Sequence, residues 1–189
     1  DFPAIPDLVS DRSLIAGQAV IKKMLSQISF AMGVNDQRNV LNGAYMKIDD
    51  ESLMLVACDS FKLAKCRVKT ELTNKNTNGN DHLEFSFIIP VKTVNELSRL
   101  LSDDEEAVTQ VYITRKHIVF IIGEITFFSR LVDGDYIDYN RIIVTNHRIS
   151  VSVDKHELIA ALERAALVTE EKIAGSVRSH VKLEVCGDT

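Results

Sequence analysis

The stretch Ala57 to Cys66, ACDSFKLAKC, holds two cysteines, an aspartate, a serine and two lysines within ten residues. Those residue types can do metal or nucleophile chemistry. A zinc-type centre needs three or four thiolate or imidazole ligands converging on one point. Cys58 and Cys66 have no neighbouring histidine, and His82 lies beyond an Asn-rich loop. A nucleophilic Cys58 or Ser60 needs a base and an oxyanion hole. No GxSxG turn is present, and Asp59 directly beside Ser60 has the wrong geometry for a triad. The third reading is a strand ending at Cys58, a turn at Asp59-Ser60 and a strand leaving near Leu63, with both cysteines as small apolar fillers. The spacing favours this third reading. A thiol or serine hydrolase centred on Cys58 to Ser60 is the enzymatic alternative. No phosphate-cradling GxxxxGK[ST] or GxGxxG occurs, so no nucleotide cofactor or metal is expected. The other clustered carboxylates, Asp49, Asp50, Asp103 and Asp104, sit in turn-like stretches.

The elements that position this stretch follow from periodicity. Arg12 to Ala16 reads as a strand and Gln18 to Met32 as a helix, with Ile21, Met24, Leu25 and Ile28 at helical spacing. Asn39 to Ile48, Leu53 to Cys58 and Leu63 to Lys69 read as strands. Thr70 to His82 reads as a polar loop. Glu84 to Pro90 is then a strand and Val91 to Leu101 a helix. Strands follow at Val108 to Thr114, His117 to Ile122 and Thr126 to Val132. The order is strand, helix, three strands, repeated twice, which is an α+β pattern with antiparallel sheets. It then restarts: a strand at Ile149 to Val153, an N-cap at Asp154, a helix over Lys155 to Val168 and a strand over Val177 to Cys186. A shift of 137 residues pairs Ile21 with Leu158, Leu25 with Leu162 and Met46 with Leu183. Two tandem domains are expected, 1–147 complete and 148–189 incomplete.

Composition bounds the rest. Apolar residues are 46% of 189, enough for a packed core. No apolar run approaches the ~18 residues of a membrane span. The start, DFPAIPDL, lacks an initiator Met and any signal-peptide pattern, so a piece of a longer cytoplasmic protein is expected. Three cysteines without a CxxC pair suit reduced thiols.

Net charge is −5, from 22 basic and 27 acidic residues. That argues against a protein basic all over, but not against a basic face. Between Asp11 and Asp36 there is no acid, while Arg12, Lys22 and Lys23 are basic. The second helix carries Lys92 and Arg99 on one face, and the third carries Lys155 and Arg164. If the helices share one side of a sheet, that side is positive. On charge alone, a solubilising role for these lysines is the simpler account.

Four stretches together resemble the bacterial sliding clamp, the β subunit of DNA polymerase III holoenzyme. They are QRNVLNGAYM (Gln37 to Met46), VACDSFKLAKC (Val56 to Cys66), FIIPVKTVNEL (Phe87 to Leu97) and FFSRLVDGDYIDYNRII (Phe127 to Ile143). The resemblance covers the middle domain and the start of the last. It implies a clamp fold, with helices lining one face and sheets outside. It implies a non-catalytic processivity factor: a head-to-tail homodimeric ring that slides on duplex DNA without reading its sequence. Lys22, Lys23, Lys92 and Arg99 would face the DNA. Asn35 and Asn39 would lie on a loop approaching it, where the family often has an aromatic residue at Asn39 and Val40.

The resemblance also implies a pocket for short peptides of Gln-Leu-x-Leu-Phe type, carried by the polymerase, the clamp loader and repair proteins. Leu41, Cys58, Ser60, Phe61, Lys62 and Leu63 would form one wall. Ile137, Arg141 and Ile142 would join it from the following linker, with Arg38 near the edge. Where this chain has Ser60, Phe61, Lys62 and Ile137, the family often has glycine, histidine, arginine and proline. The mouth is therefore expected to be bulkier and more apolar. A clamp-fold peptide adaptor that does not encircle DNA is the alternative function.

Overall fold

The structure is a computed structural model that describes residues 12–75, 82–167, 171–173, 176–178 and 181–185. Its contacts divide the chain into two units, 1–138 and 139–189.

In the first unit, β1 (Arg12–Gly17) runs into α1 (Gln18–Ile28). The helix forms here because Ile21, Met24, Leu25 and Ile28 recur on one face, and all four are buried. It tightens into a 3₁₀ turn at Ser29–Ala31, so the expected helix to Met32 ends earlier, while Ala31 and Met32 stay in the core. A second 3₁₀ turn, Asn39–Leu41, replaces the first residues of the strand expected from Asn39. The strands β2 (Gly43–Asp49), β3 (Ser52–Cys58) and β4 (Leu63–Lys69) follow. The expected loop from Thr70 contains a two-residue strand, β5 (Thr73–Asn74), paired with β1; residues 76–81 lie outside the described residues. The second half repeats the order: β6 (Glu84–Pro90), α2 (Val91–Leu100), β7 (Val108–Ile113), β8 (His117–Ile122) and β9 (Ile125–Arg130).

The two halves exchange their first strands. One antiparallel sheet runs β5-β1-β7-β8-β9 and the other β4-β3-β2-β6. Thus β1 completes the sheet of the second half, and β6 completes that of the first. The two helices pack on each other and against the strands, and one core joins both sheets, with Leu25, Ile28, Leu55, Ile89, Leu97 and Phe120 almost fully buried. Buried polar groups link the halves. The Gln18 amide donates to the Val108 carbonyl at 2.8 Å and its oxygen accepts the Ser102 N–H at 2.9 Å. Within the second half, the hydroxyls of Thr93 and Ser129 meet at 2.6 Å.

Gly43 is required by contact. A Cβ there would come within 2.4 Å of the Ile89 carbonyl oxygen on β6. Beyond β9 the chain crosses to the other sheet, where the Val132 N–H donates to the Ile88 carbonyl at 2.9 Å.

The second unit holds α3 (Lys155–Ala166), capped by Asp154, whose carboxylate accepts the N–H groups of His156 at 2.8 Å and Glu157 at 2.9 Å. It also holds a hairpin of β10 (Glu171–Ile173) and β11 (Ser176–Arg178). Two expected strands are corrected. Ile149 to Val153 forms no ladder and stays exposed, and of Val177 to Cys186 only Val177 and Arg178 are in a strand; residues 179, 180 and 186 lie outside the described residues. Alternating apolar residues mark a face that needs burial, but a strand also needs a neighbour to satisfy its backbone, and no described strand pairs with these segments.

Candidate functional site

The site begins where β3 ends. Cys58 and Leu63 are opposed in the antiparallel ladder, so the residues between them form the hairpin tip. Asp59 organises that tip. Its carboxylate accepts the N–H groups of Phe61 at 3.0 Å and Lys62 at 2.8 Å, and it pairs with the Lys62 ammonium at 3.1 Å. Partial burial works to raise the Asp59 carboxyl, but the two N–H bonds and the ammonium outweigh it and hold it below the usual carboxylate range. Ser60 takes the left-handed conformation, with φ at 78°. Phe61 is thereby turned out and is 95% exposed.

A second loop braces the tip. The Asn42 side chain clasps the Asp36 backbone, its oxygen accepting the Asp36 N–H and its amide donating to the Asp36 carbonyl, both at 2.8 Å. The Asp36 carboxylate also accepts the Arg38 N–H at 2.8 Å and pairs with its guanidinium at 3.3 Å. That bonding to Arg38 holds the Asp36 carboxyl below its ordinary value. The same guanidinium donates to the Ser60 hydroxyl, joining the two loops. Leu41 is fully buried beneath.

A third segment closes the wall. Gly134, at φ 120°, lies against Val40, where a Cβ would come within 3.0 Å of the valine Cγ1. Tyr136 stacks on Tyr45 of β2, with ring centroids 5.3 Å apart and planes 17° apart. Its hydroxyl is buried against the Cys58 backbone, and no hydrogen bond of good geometry satisfies it among the described residues. Burial pushes that phenol well above its usual value. Tyr136 was not among the sequence-derived site residues; the signal for it was the aromatic position in the LVDG-containing motif.

The structure therefore brings Arg38 to Ser60 and Cys58 to Leu63, with Lys62 anchored on Asp59 and on the Phe30 carbonyl at 2.9 Å. Ile137 is half-buried on the same unit, while Arg141 and the exposed Ile142 belong to the second unit. Cys58 is only 4% exposed, and the Asp59 carboxylate is committed to its own turn. Neither is presented as a nucleophile or base. A concavity of about 690 Å³ lies at the other end of β4, along Lys69 to Thr73, away from this wall.

The other candidate surface is the polar side of α1 and α2. Lys23, Lys92 and Arg99 are exposed there. Lys22 is partly covered and pairs with Asp103 at 2.6 Å, and Arg99 pairs with Glu96 at 3.3 Å. Asn35, at φ 58°, and Asn39 are exposed on the loop between α1 and β2.

The family model for the DNA polymerase III beta subunit, central domain, matches residues 16–138. The chain belongs to the DNA polymerase III β subunit family. A Beta sliding clamp of Staphylococcus aureus is 31% identical over 170 residues, covering 90% of this chain and 43% of the relative. Solved structures agree. The sliding clamp of Bacillus subtilis superposes with a TM-score of 0.79 at 27% identity, covering 90% of this chain and 43% of that one. That of Pseudomonas aeruginosa bound to griselimycin gives 0.78 at 29%, covering 91% and 44%. The chain thus spans under half the length of these family members, and its first unit carries the family's α+β clamp fold. No helix among the described residues is long and apolar enough to cross a membrane.

Proposed function

We propose that this chain is part of a non-catalytic replication clamp that encircles duplex DNA and tethers the polymerase and other partners through a short-peptide pocket. The observation that carries the reading is the wall at the β3–β4 tip. Half-buried Leu63 supplies apolar contact over the buried Leu41, Phe61 projects freely, and Arg38, Ser60 and Lys62 offer polar edges held by Asp36 and Asp59. Such a wall suits a peptide with Leu and Phe anchors, each worth roughly 1.5–3 kcal/mol when buried. On this reading, Ile137, Arg141 and Ile142 come from the linker into a last domain that begins near residue 148. The whole acts in the cytoplasm as a homodimeric ring. Lys22, Lys23, Lys92 and Arg99, with Asn35 and Asn39, would face the DNA.

The test is titration of a fluorescent Gln-Leu-x-Leu-Phe peptide against the full-length gene product, beside Leu63→Lys. Saturable binding lost in the variant supports the pocket; equal binding in both removes it. A second reading, a clamp-fold adaptor off DNA, is favoured by the pairing of Lys22 with Asp103 and Arg99 with Glu96, which offsets charge meant for phosphates. Retention on closed circular DNA, lost on linearisation, distinguishes the two.

A further inference from the structure

A second groove lies where the two sheets meet, walled by β6, the β7–β8 turn and the segment after β9, with a volume of about 220 Å³. Its apolar part is Leu131 and Val132, both half-buried, with Ile88 covered beneath them at 2% exposed. Its rim carries Arg115, Lys116 and Arg130, all exposed, against the single acid Asp133. Elsewhere Lys22, Arg38, Lys62, Arg67, Lys69 and Arg99 each pair with a carboxylate. No ion pair holds the three rim cations among the described residues, although the chain carries a net charge of −5. Concentrated positive charge over an apolar floor fits a ligand that supplies both carboxylates and apolar side chains.

The backbone narrows the ligand further. β6 has β2 on one side. On its other side, the described ladder is the single bridge from Ile88 to Val132. Since the Ile88 carbonyl points across that bridge, Ser86, two residues away, turns its N–H and C=O the same way, into the groove. An open strand edge accepts an extended chain through main-chain bonds.

We propose that this groove binds an extended acidic peptide segment of a protein partner. The peptide adds along the β6 edge at Ser86, lays an apolar side chain on Leu131 and Val132, and sets its carboxylates against Arg115, Lys116 and Arg130. Asp133 fixes polarity by repelling acid at its end.

The probe is a fluorescein-labelled peptide of alternating glutamate and valine, with a lysine–valine counterpart, followed by anisotropy on this chain. The glutamate peptide binds and the lysine peptide does not. Arg115→Glu combined with Arg130→Glu weakens binding by at least about tenfold, as loss of close charge pairs does. The milder Arg130→Gln weakens it less, and Asp133→Asn tightens it. Leu63→Lys leaves it unchanged, which separates this groove from the hairpin wall. In amide spectra, Ser86 and Val132 shift on titration. Binding that survives the double reversal overturns the proposal. So does a double reversal that costs affinity for a short DNA duplex but not for the peptide, because the groove would then be a nucleic-acid surface. Unmoved Ser86 and Val132 amides overturn the edge addition.

Discussion

Tyr136→Phe should stabilise the first unit. The ring is held by its stack on Tyr45, which phenylalanine keeps. The hydroxyl is removed from water without a hydrogen bond of good geometry among the described residues. Burying such a group unpaired costs about 1–3 kcal/mol, so deleting it should return about 1–2 kcal/mol. With a urea slope near 2 kcal/mol per molar, the unfolding midpoint rises by about 0.5–1 M. The effect also depends on pH. The folded phenol lies above its ordinary value of 10.0, so the folded state retains a proton that the unfolded state releases. The stability this represents is fully present below the unfolded value and falls as pH rises beyond it. The advantage of Tyr136→Phe therefore widens above about pH 10, by up to ~1.4 kcal/mol per pH unit. Urea melts of both proteins at neutral pH and near pH 10.5 measure it. A less stable variant at neutral pH would refute the reasoning, since it would mean that the hydroxyl makes a real bond at the Cys58 backbone.

Three further outcomes follow from the geometry. Asp59→Asn should flatten the acid limb of the melting curve. The carboxyls of Asp36, Asp49, Asp50 and Asp59 lie below their ordinary value in the fold. Their contribution is therefore present above the unfolded value and lost as pH falls through the folded one; thermal melts between pH 6 and 3 read it. Gly43→Ala should destabilise by about 1–3 kcal/mol in urea, because the new methyl meets the β6 backbone, which has little room to move. Phe61→Ala should leave stability within about 0.5 kcal/mol, since the ring is 95% exposed. It should still alter affinity for the Gln-Leu-x-Leu-Phe peptide, and unchanged affinity would place Phe61 outside the pocket.

Local pattern carried the element order of the first unit well. Ile21, Met24, Leu25 and Ile28 fall on one helical face whatever the context, and the helix appeared there. Asp59 and Ser60 are turn formers by their own chemistry, and ACDSFKLAKC proved to be a hairpin tip. The same rules failed at Ile149 to Val153, where the pattern was right for a strand but no described partner completed a ladder.

What the sequence determined by itself was local: where chain segments become helical or extended, which face of each is apolar, and which residues reverse the chain. These depend on interactions within a few residues, so they can be read along the line. Tertiary structure alone decided which strand joins which sheet. The exchange of β1 and β6 between the halves rests on pairings such as Leu14 with Val111. It also set Lys22 against Asp103, Arg38 against Ser60, and Tyr136 against Tyr45. Each contact joins residues far apart in the chain. Its energy depends on burial and charge that exist only after the core has closed.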